Sequence, residues 1–167
     1  MADVVVVSYR IEWPEQFEAL RRIFSDALGP LALRVEHVGS TAVPGLAAKP
    51  IIDLDILIGS RDELPEVIAR LAAIDYRHQG DLGIAGREAF VFEGREPRPA
   101  HNPYVCASDS AELARHLDFR DWLRQNPSGA AEYGRLKQAL AAAHRRDRDA
   151  YTLGKTAFIE AVLRRQR

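Results

Sequence analysis

The sequence is poor in cysteine and has no long hydrophobic run. One cysteine, Cys106, occurs among 167 residues, so no disulfide can form within the chain. In the segment 104–107 (YVCA) we interpret it as a small core residue and not as a nucleophile. No apolar run approaches the ~20 residues of a membrane span, and the valine run at 4–7 follows no basic segment that would indicate a signal peptide. We therefore expect a cytoplasmic protein.

A strong charge of either sign is also missing. Lys and Arg number 23 and Asp and Glu 24, which gives a formal net charge of -1. Such a balance provides no global field that would attract nucleic acid or an anionic membrane, although a local basic patch remains compatible with it. With 47% hydrophobic residues, the chain is long enough for one well-buried core. We predict a single domain over 1–167, with a sheet-containing core at about 1–107 and packed helices at about 108–167.

The first two thirds of the chain alternate between strand and helix patterns. We predict strands at 4–8, 31–38, 51–58, 76–79, 88–93 and 102–107. A first helix begins at Pro14 and ends near Gly29, since proline favours the first helical turn and glycine favours the end of a helix. Ser60 and Glu63 form a capping-box pattern, which predicts a second helix to about Ala73.

From residue 108 onward the hydrophobic period becomes helical. One helix ends at Asn126-Pro127, a second contains Tyr133, and a third ends in the basic run 164–167. The predicted fold class is α/β (α+β): a mixed β-sheet flanked by helices, followed by a helical C-terminal portion that closes over the edge of the sheet.

The segment 51–58 (IIDLDILI) places two acids inside an apolar strand. Side chains alternate along a strand, so Asp53 and Asp55 point to the same face, roughly 7 Å apart. These acids could occupy the solvated face of an edge strand. The apolar residues on both faces favour an interior strand instead, where carboxylates are costly unless they are paired or bind a metal.

A small turn precedes the acid strand: residues 36–41 read EHVGST. Gly-Ser turns are common between secondary-structure elements, so Gly39 and Ser40 alone indicate little. Next to an acid pair, however, the turn indicates a candidate binding site for a phosphate group and a metal. Backbone N–H groups and a hydroxyl can bind phosphate oxygens, while the two carboxylates can bind the divalent metal that phosphates also bind.

These residues resemble the GrpB-like (UPF0157) family, which is similar to polymerase-β-type nucleotidyltransferases. The superfamily pattern is a hydrophobic residue, Gly, Gly or Ser, and then an acid-hydrophobic-acid strand; Val38, Gly39, Ser40 and 53–55 match it. The GrpB-like resemblance covers nearly the whole chain and rests on Tyr9, 12–14 (EWP), 36–50 (EHVGSTAVPGLAAKP), His116, 119–121 (FRD), Tyr151, 154–155 (GK) and 158–159 (FI).

The resemblance implies a nucleotidyltransferase-like fold and assigns roles to several residues. Asp53 and Asp55 become catalytic ligands of Mg²⁺ or Mn²⁺, and Gly39, Ser40 and Thr41 become the phosphate-binding turn. Most superfamily enzymes carry a third acid on a later strand. The candidate strand at 100–105 carries His101 and Asn102 instead, so His101 is expected near the two acids as a metal ligand.

Three cations complete the predicted site. Lys49, Arg120 and Lys155 suit an anionic ligand, since lysine offers a point charge and arginine a planar fork for phosphate. Each of them alone is more often an ordinary surface cation. We expect the C-terminal helices to form a wall of the site, from which Arg120 and Lys155 face the acid strand.

Two functional hypotheses follow from the resemblance. The first is metal-dependent transfer of a nucleoside monophosphate from a nucleoside triphosphate to an unknown acceptor. The second is a non-catalytic module that binds a nucleotide or a coenzyme A-related metabolite, since GrpB-like segments are fused to dephospho-coenzyme A kinase in some relatives. The acid pair favours the enzyme, and the missing third acid favours the module.

Overall fold

The computed structural model describes residues 3–166, and Arg167 of the basic C-terminal run lies outside the described residues. Five strands form one mixed sheet: β1 (Arg34–Val38), β2 (Ile52–Ile58), β3 (Tyr76–Gly80), β4 (Glu88–Phe92) and β5 (His101–Ala107). Their spatial order is β1-β2-β5-β4-β3, with β2 parallel to β5 and the other neighbours antiparallel. The acid strand β2 is therefore interior, as its apolar residues predicted.

Five α-helices accompany the sheet: α1 (Trp13–Leu28), α2 (Leu64–Ala72), α3 (Ala111–Gln125), α4 (Pro127–Ala143) and α5 (Arg148–Arg165). The predicted start and end signals are confirmed. Pro14 lies in the first turn of α1, which ends at Gly29 with φ 54°. The Ser60–Glu63 capping box is formed and opens a short 3₁₀ turn that leads into α2.

Helices α1 and α2 pack on one face of the sheet. The buried residues of α1 recur every four positions after Leu20, and together with Val67 and Leu71 of α2 they meet the apolar face of β2. That face presents Ile52, Leu54, Ile56 and Ile58, each at most 2% exposed. This is the main core of the protein, and it fixes which way the alternate residues of β2 point.

The C-terminal helices cover the opposite face of the sheet. Leu57 of β2 and Cys106 of β5 pack with Leu113 and Leu117 of α3, which buries the cysteine as predicted. The expectation that these helices close over the sheet edge is therefore incomplete: α3 contacts the edge strand β1 through Arg120 and Glu36, and it also covers this face. Apolar side chains on the acid-bearing face need a cover, and α3 supplies it there.

The segment 4–8 is also not a strand, contrary to the prediction. It makes one isolated bridge, Val7 with Ala48, and Val4 N–H donates to the carbonyl of Arg145. Its β-branched valines favour extended backbone, but the segment pairs with the 41–50 loop and with the α4–α5 connection instead of joining the sheet. It thereby ties these two segments together beside the acid face.

Candidate functional site

The Gly39 turn sits directly against the acid strand. Gly39 has φ 72° and ψ -173°, a conformation that is essentially restricted to glycine. A Cβ atom at this position would lie 2.7 Å from Oδ2 of Asp53. Val38 is the register partner of Asp53 in the antiparallel β1–β2 pair, so the strand pairing itself brings the turn to the carboxylate. The predicted adjacency of turn and acid is thus present.

Asp53 and Asp55 point to the same face of β2, but their surroundings differ. Asp53 is partly buried, and its Oδ1 accepts a hydrogen bond of 2.9 Å from Nδ2 of Asn102, its register partner on β5. Burial raises the pKa of Asp53, an effect that the Asn102 hydrogen bond and the nearby Lys49 partly oppose. Asp55 is fully buried, and its Oδ1 has no hydrogen-bond partner among the described residues.

The second oxygen of Asp55 is held by a histidine of α3. His116 Nδ1 lies 2.6 Å from Oδ2 of Asp55, and its Nε2 lies 3.2 Å from Oε1 of Glu112, one helical turn earlier. Burial alone would lower the pKa of His116, but the hydrogen bonds with Asp55 and Glu112 raise it to about 9. At neutral pH an imidazolium therefore balances the buried charge of Asp55.

A cavity of about 250 Å³ opens beside Asp53, and we call it the phosphate pocket. It is lined by Ser40, Thr41, Ala48, Lys49, Ile51, Asp53, Arg87, Asn102, Tyr104, Lys137, Arg148, Tyr151, Thr152 and Lys155. Five of these side chains are cations, and one is a carboxylate. In the chain from 3 to 166, none of the five cations makes an ion pair with a carboxylate within 4.0 Å.

The cations reach the pocket from separate parts of the chain. Lys49 comes from the 41–50 loop, Arg87 precedes β4, and Lys137 belongs to α4. Arg148 and Lys155 are seven residues apart on α5, so they lie on one face of that helix. The prediction that Lys49 and Lys155 approach the acid strand agrees with this arrangement.

Burial perturbs these lysines strongly. Lys137 is 2% exposed; its Nζ donates to the carbonyl of Ala47 and lies 4.8 Å from the centre of the Tyr133 ring. Burial lowers the pKa of Lys137 to about 7, and the neighbouring cation Lys155 adds to this effect. Burial likewise lowers the pKa of Lys155 to about 8, and the neighbouring cation Lys49 adds to it. Burial and mutual repulsion thus destabilise the charged form of these lysines. An anion bound in the pocket would stabilise that form.

Arg87 carries a buried polar atom without a partner. Its Nε makes no hydrogen bond within the described structure, and its guanidinium stacks over the Tyr104 ring at 4.2 Å. The stacking holds the planar group at the pocket wall with its donors available.

The structure does not bring His101 to the acids, which corrects the sequence-based expectation. His101 pairs in register with Ile52, so its side chain lies on the core face of the sheet, opposite Asp53. One ring nitrogen contacts the hydroxyl of Tyr76 at 2.6 Å, and the other contacts the carbonyl of Pro99 at 2.6 Å. The neighbouring residue of β5, Asn102, occupies the position beside Asp53 instead.

Arg120 is not brought to the phosphate pocket either. Its Nη1 donates to Oε2 of Glu36 at 2.8 Å and to the carbonyl of His37 at 3.0 Å, while its Nε donates to Asp121. It thereby fastens α3 to β1. Thr41 lines the pocket, but its hydroxyl contacts Nε2 of His37 at 2.9 Å. The expected role of Arg120 in phosphate binding is therefore corrected to a structural one.

Sequence reasoning missed Arg87, Lys137, Arg148 and the pairing of His116 with Asp55. A signal existed for Lys137, because Tyr133, Lys137 and Ala141 recur every four residues and all three are buried. A lysine on the apolar face of a helix is unusual enough to be noted. Arg87 and Asp55–His116 depend on contacts between distant segments, for which the sequence offers no spacing rule.

Two further cavities adjoin the 41–50 loop. One of about 580 Å³, the outer cavity, shares Lys49, Ile51 and Arg148 with the phosphate pocket and is also lined by Asp3, Val4, Arg146, Asp147 and Asp149. The other, of about 650 Å³, is largely apolar and lies between residues 43–47 and helices α3 and α4. It does not include the acids.

Residues 3–166 contain neither a membrane-spanning helix nor a metal-ligating cluster of the common kind. No helix has the length and apolar character needed to cross a membrane. No group of three or more His, Cys, Asp or Glu side chains is arranged to hold a metal ion.

The fold is shared with nucleotidyltransferases. The Cid1 poly(U) polymerase, solved with MgGTP bound, aligns with a TM-score of 0.52 and 13% identity over 79% of this chain and 42% of that one. The GLD-2/RNP-8 complex aligns with a TM-score of 0.58 and 16% identity over 91% of this chain and 60% of that one. At such low identity the likeness concerns the fold alone.

Relatives of higher identity are GrpB and UPF0157 proteins. UPF0157 protein YqkA of Bacillus subtilis is 34% identical over 95% of this chain, and UPF0157 protein PA4798 of Pseudomonas aeruginosa is 38% identical over 92%. The chain spans 46% of the first relative and 63% of the second.

A crystal structure of GrpB from Enterococcus faecalis matches along nearly the whole chain. It aligns with a TM-score of 0.84 and 36% identity over 96% of both chains. The sequence profile described as GrpB protein matches residues 3–165. Sequence and fold thus agree over almost every described residue, and the chain belongs to the GrpB family.

Proposed function

We propose that this protein binds a nucleoside triphosphate in the phosphate pocket and transfers its nucleoside monophosphate to an acceptor nucleophile, which attacks the α-phosphorus as the bond to the β-phosphate breaks and pyrophosphate leaves. The observation that carries the proposal is the convergence of five cations on Asp53 beside the Gly39 turn. A triphosphate needs several positive groups and close backbone approach, and both are supplied at one place. The nucleotidyltransferase-type fold supports the same interpretation.

The carboxylates fit a divalent metal, although sparsely. Oδ1 of Asp55 is buried without a partner, which is the condition of a group suited to bind a cation, and Asp53 lies on the same strand face. Asp53 and Asp55 would hold Mg²⁺ or Mn²⁺, with phosphate oxygens and water as the remaining ligands. When bound, the metal would polarise the reacting phosphate and neutralise the charge that develops there.

The residues of the chain would perform the positioning. The absence of a side chain at Gly39 lets the turn pack against Asp53, which places Ser40 and Thr41 in the pocket lining, and the cations of α4 and α5 would bind the outer phosphate oxygens. The outer cavity adjoins the pocket through Lys49 and Arg148 and has room for the nucleoside or the acceptor. Asn102 and His116 orient Asp53 and Asp55 through one hydrogen bond each.

A second candidate function is binding without catalysis. It is favoured by two observations: Asn102 stands beside Asp53 where a further acid was sought, and His116 already occupies one oxygen of Asp55. Under this hypothesis the protein binds a nucleotide or a coenzyme A-related metabolite as a sensor or partner domain.

Calorimetry with a triphosphate whose α,β bridge resists cleavage tests the shared part of both proposals. We expect the wild type to bind it in the presence of Mg²⁺ and to bind Mn²⁺ alone measurably. Asp53→Asn combined with Asp55→Asn should abolish Mn²⁺ binding while circular dichroism shows a retained fold. Equal Mn²⁺ affinity in the double variant would refute the metal assignment, and no triphosphate binding would refute the transfer function and the nucleotide form of the binding module.

A labelling experiment separates the enzyme from the module. Triphosphates labelled at the α-phosphate are incubated with the protein, Mn²⁺ and a fraction of small metabolites. Transfer predicts a labelled product that the double variant does not form. Triphosphate binding without any labelled product would favour the module.

A further inference from the structure

We propose that the phosphate pocket recognises a free polyphosphate chain, with its charge balanced by protein cations and not by a divalent metal. This inference rests on the proposed function for the location of the site and concerns the binding step alone: the cations hold the phosphates, and the metal of the proposed function would serve only the later transfer step. It predicts that inorganic tripolyphosphate is itself a ligand, and that binding needs no metal.

The size of the pocket is the first argument. At about 250 Å³ it is smaller than the ~300–1,000 Å³ of sites that enclose a whole drug-sized ligand. It therefore suits the phosphate chain alone, and a nucleoside would have to extend toward the outer cavity, which shares Lys49, Ile51 and Arg148 with the pocket. The tight recognition is thus directed at the phosphates.

The charge of the lining is the second argument. Five cations from four parts of the chain face one carboxylate, and none of the five has an ion pair with a carboxylate of the described chain. A tripolyphosphate carries a comparable number of negative charges at neutral pH, so the protein can balance the anion without help. Two arginines and three lysines also provide many N–H donors for the phosphate oxygens.

The state of the carboxylates is the third argument. One oxygen of Asp53 accepts from Asn102, and one oxygen of Asp55 is paired with His116. His116 in turn contacts Glu112, so the charge of Asp55 is balanced inside the fold. Asp53 is then the one carboxylate of the pocket lining, where its charge would repel a bound anion.

The two modes of binding predict opposite effects for Asp53→Asn. If a metal on Asp53 bridges to the phosphates, the substitution weakens binding. If the cations hold the anion directly, the substitution removes a repulsion and strengthens binding by roughly 3–10-fold. Magnesium separates the two modes in the same way, because it competes with the protein for a free polyphosphate but assists a bridged one.

The experiment is calorimetric titration of the full chain with inorganic tripolyphosphate, first in EDTA and then in Mg²⁺. We expect binding in EDTA that Mg²⁺ weakens, that Asp53→Asn strengthens, and that added salt weakens. Lys155→Met should lower the affinity ~10-fold or more. The matched control is Arg146→Met, a cation of the outer cavity that lies outside the phosphate pocket, and it should change the affinity less than ~2-fold.

Each outcome decides one question. Binding that requires Mg²⁺, or that Asp53→Asn weakens, would overturn the inference and leave the proposed function intact. Equal losses in Lys155→Met and Arg146→Met would also overturn it, because they would indicate attraction by surface charge alone. Binding of tripolyphosphate without any binding of nucleoside triphosphates would support the inference and refute the proposed nucleotide substrate. If Asp53→Asn does not fold, Arg148→Met replaces it and should weaken binding in EDTA.

Discussion

Gly39→Ala should destabilise the fold far more than an alanine in an ordinary turn. The backbone at φ 72° and ψ -173° costs about 1–3 kcal/mol for a residue with a side chain. The new methyl group would also lie 2.7 Å from Oδ2 and 3.2 Å from Cβ of Asp53, so the acid or the turn must move. Such movement endangers the Asp53–Asn102 hydrogen bond, worth about 0.5–1.5 kcal/mol.

The sum predicts a loss of about 2–4 kcal/mol in the free energy of unfolding. Gly45 offers a matched control, since its φ is 80° but nothing lies within 4 Å of a Cβ placed there. Gly45→Ala should therefore show the backbone cost alone, about 1–2 kcal/mol. Urea unfolding of both variants, followed by circular dichroism, measures the difference.

A double variant tests whether Asp53 causes that difference. Asp53→Ala removes the 2.7 Å contact but keeps the one at 3.2 Å, so Gly39→Ala should cost about 1 kcal/mol less in that background. The reasoning is refuted if Gly39→Ala costs no more than Gly45→Ala. It is equally refuted if the cost is unchanged when Asp53 is alanine, because the turn would then not press on the acid.

Three further predictions concern the His116–Asp55 ion pair, the buried lysine of α4 and the C-terminal helices. The pKa of His116 is raised to about 9, so its pairing with Asp55 stabilises the fold fully below pH 6.5, and this stabilisation is lost as the pH rises through 9. The difference in free energy of unfolding between wild type and His116→Gln should therefore shrink by about 3 kcal/mol from pH 6 to pH 10. A constant difference would contradict this. Burial lowers the pKa of Lys137, so its charge opposes folding below pH 10.5. Lys137→Met should therefore leave the free energy of unfolding at pH 7 equal or higher, while it weakens tripolyphosphate binding in EDTA. A decrease of more than about 1 kcal/mol in the free energy of unfolding would refute this. A chain ending at Ala107 should fail to melt cooperatively and should bind apolar dyes, because α3 no longer covers Leu57; a sharply melting fragment would show that the helices are a separable unit.

The architecture was largely predictable because local signals agreed with one another. Pro14, the Ser60 capping box and Asn126-Pro127 mark helix boundaries that the structure retains within a few residues. The alternation in β2 likewise predicted the face shared by the two acids. The strand prediction for segment 4–8 was wrong because β-propensity does not show whether a neighbouring strand is available for pairing.

The site was predictable mainly where its residues follow one another in the chain; Lys155 was the exception, and it was placed from the family resemblance. Gly39 and Asp53 were found because they belong to one motif that strand pairing brings together. His101 was misplaced by one position: on a strand, adjacent residues face opposite sides, and Asn102 has the side that was assigned to His101. Arg120 was misjudged because Glu36, its partner, lies 84 residues away in sequence.

The five cations of the phosphate pocket come from the loop at 41–50, the start of β4, α4 and α5. Ligand binding is therefore coupled to the stability of the fold. The pocket exists only while these segments are docked, so an anion binds the folded chain and not the unfolded one. At a hundred times its Kd such a ligand adds about 2.7 kcal/mol to the free energy of unfolding. A change of that size alters the unfolded fraction about a hundredfold, and with it the exposure of the chain to proteases. The steady-state amount of this protein in a cell would then rise and fall with the concentration of its own ligand.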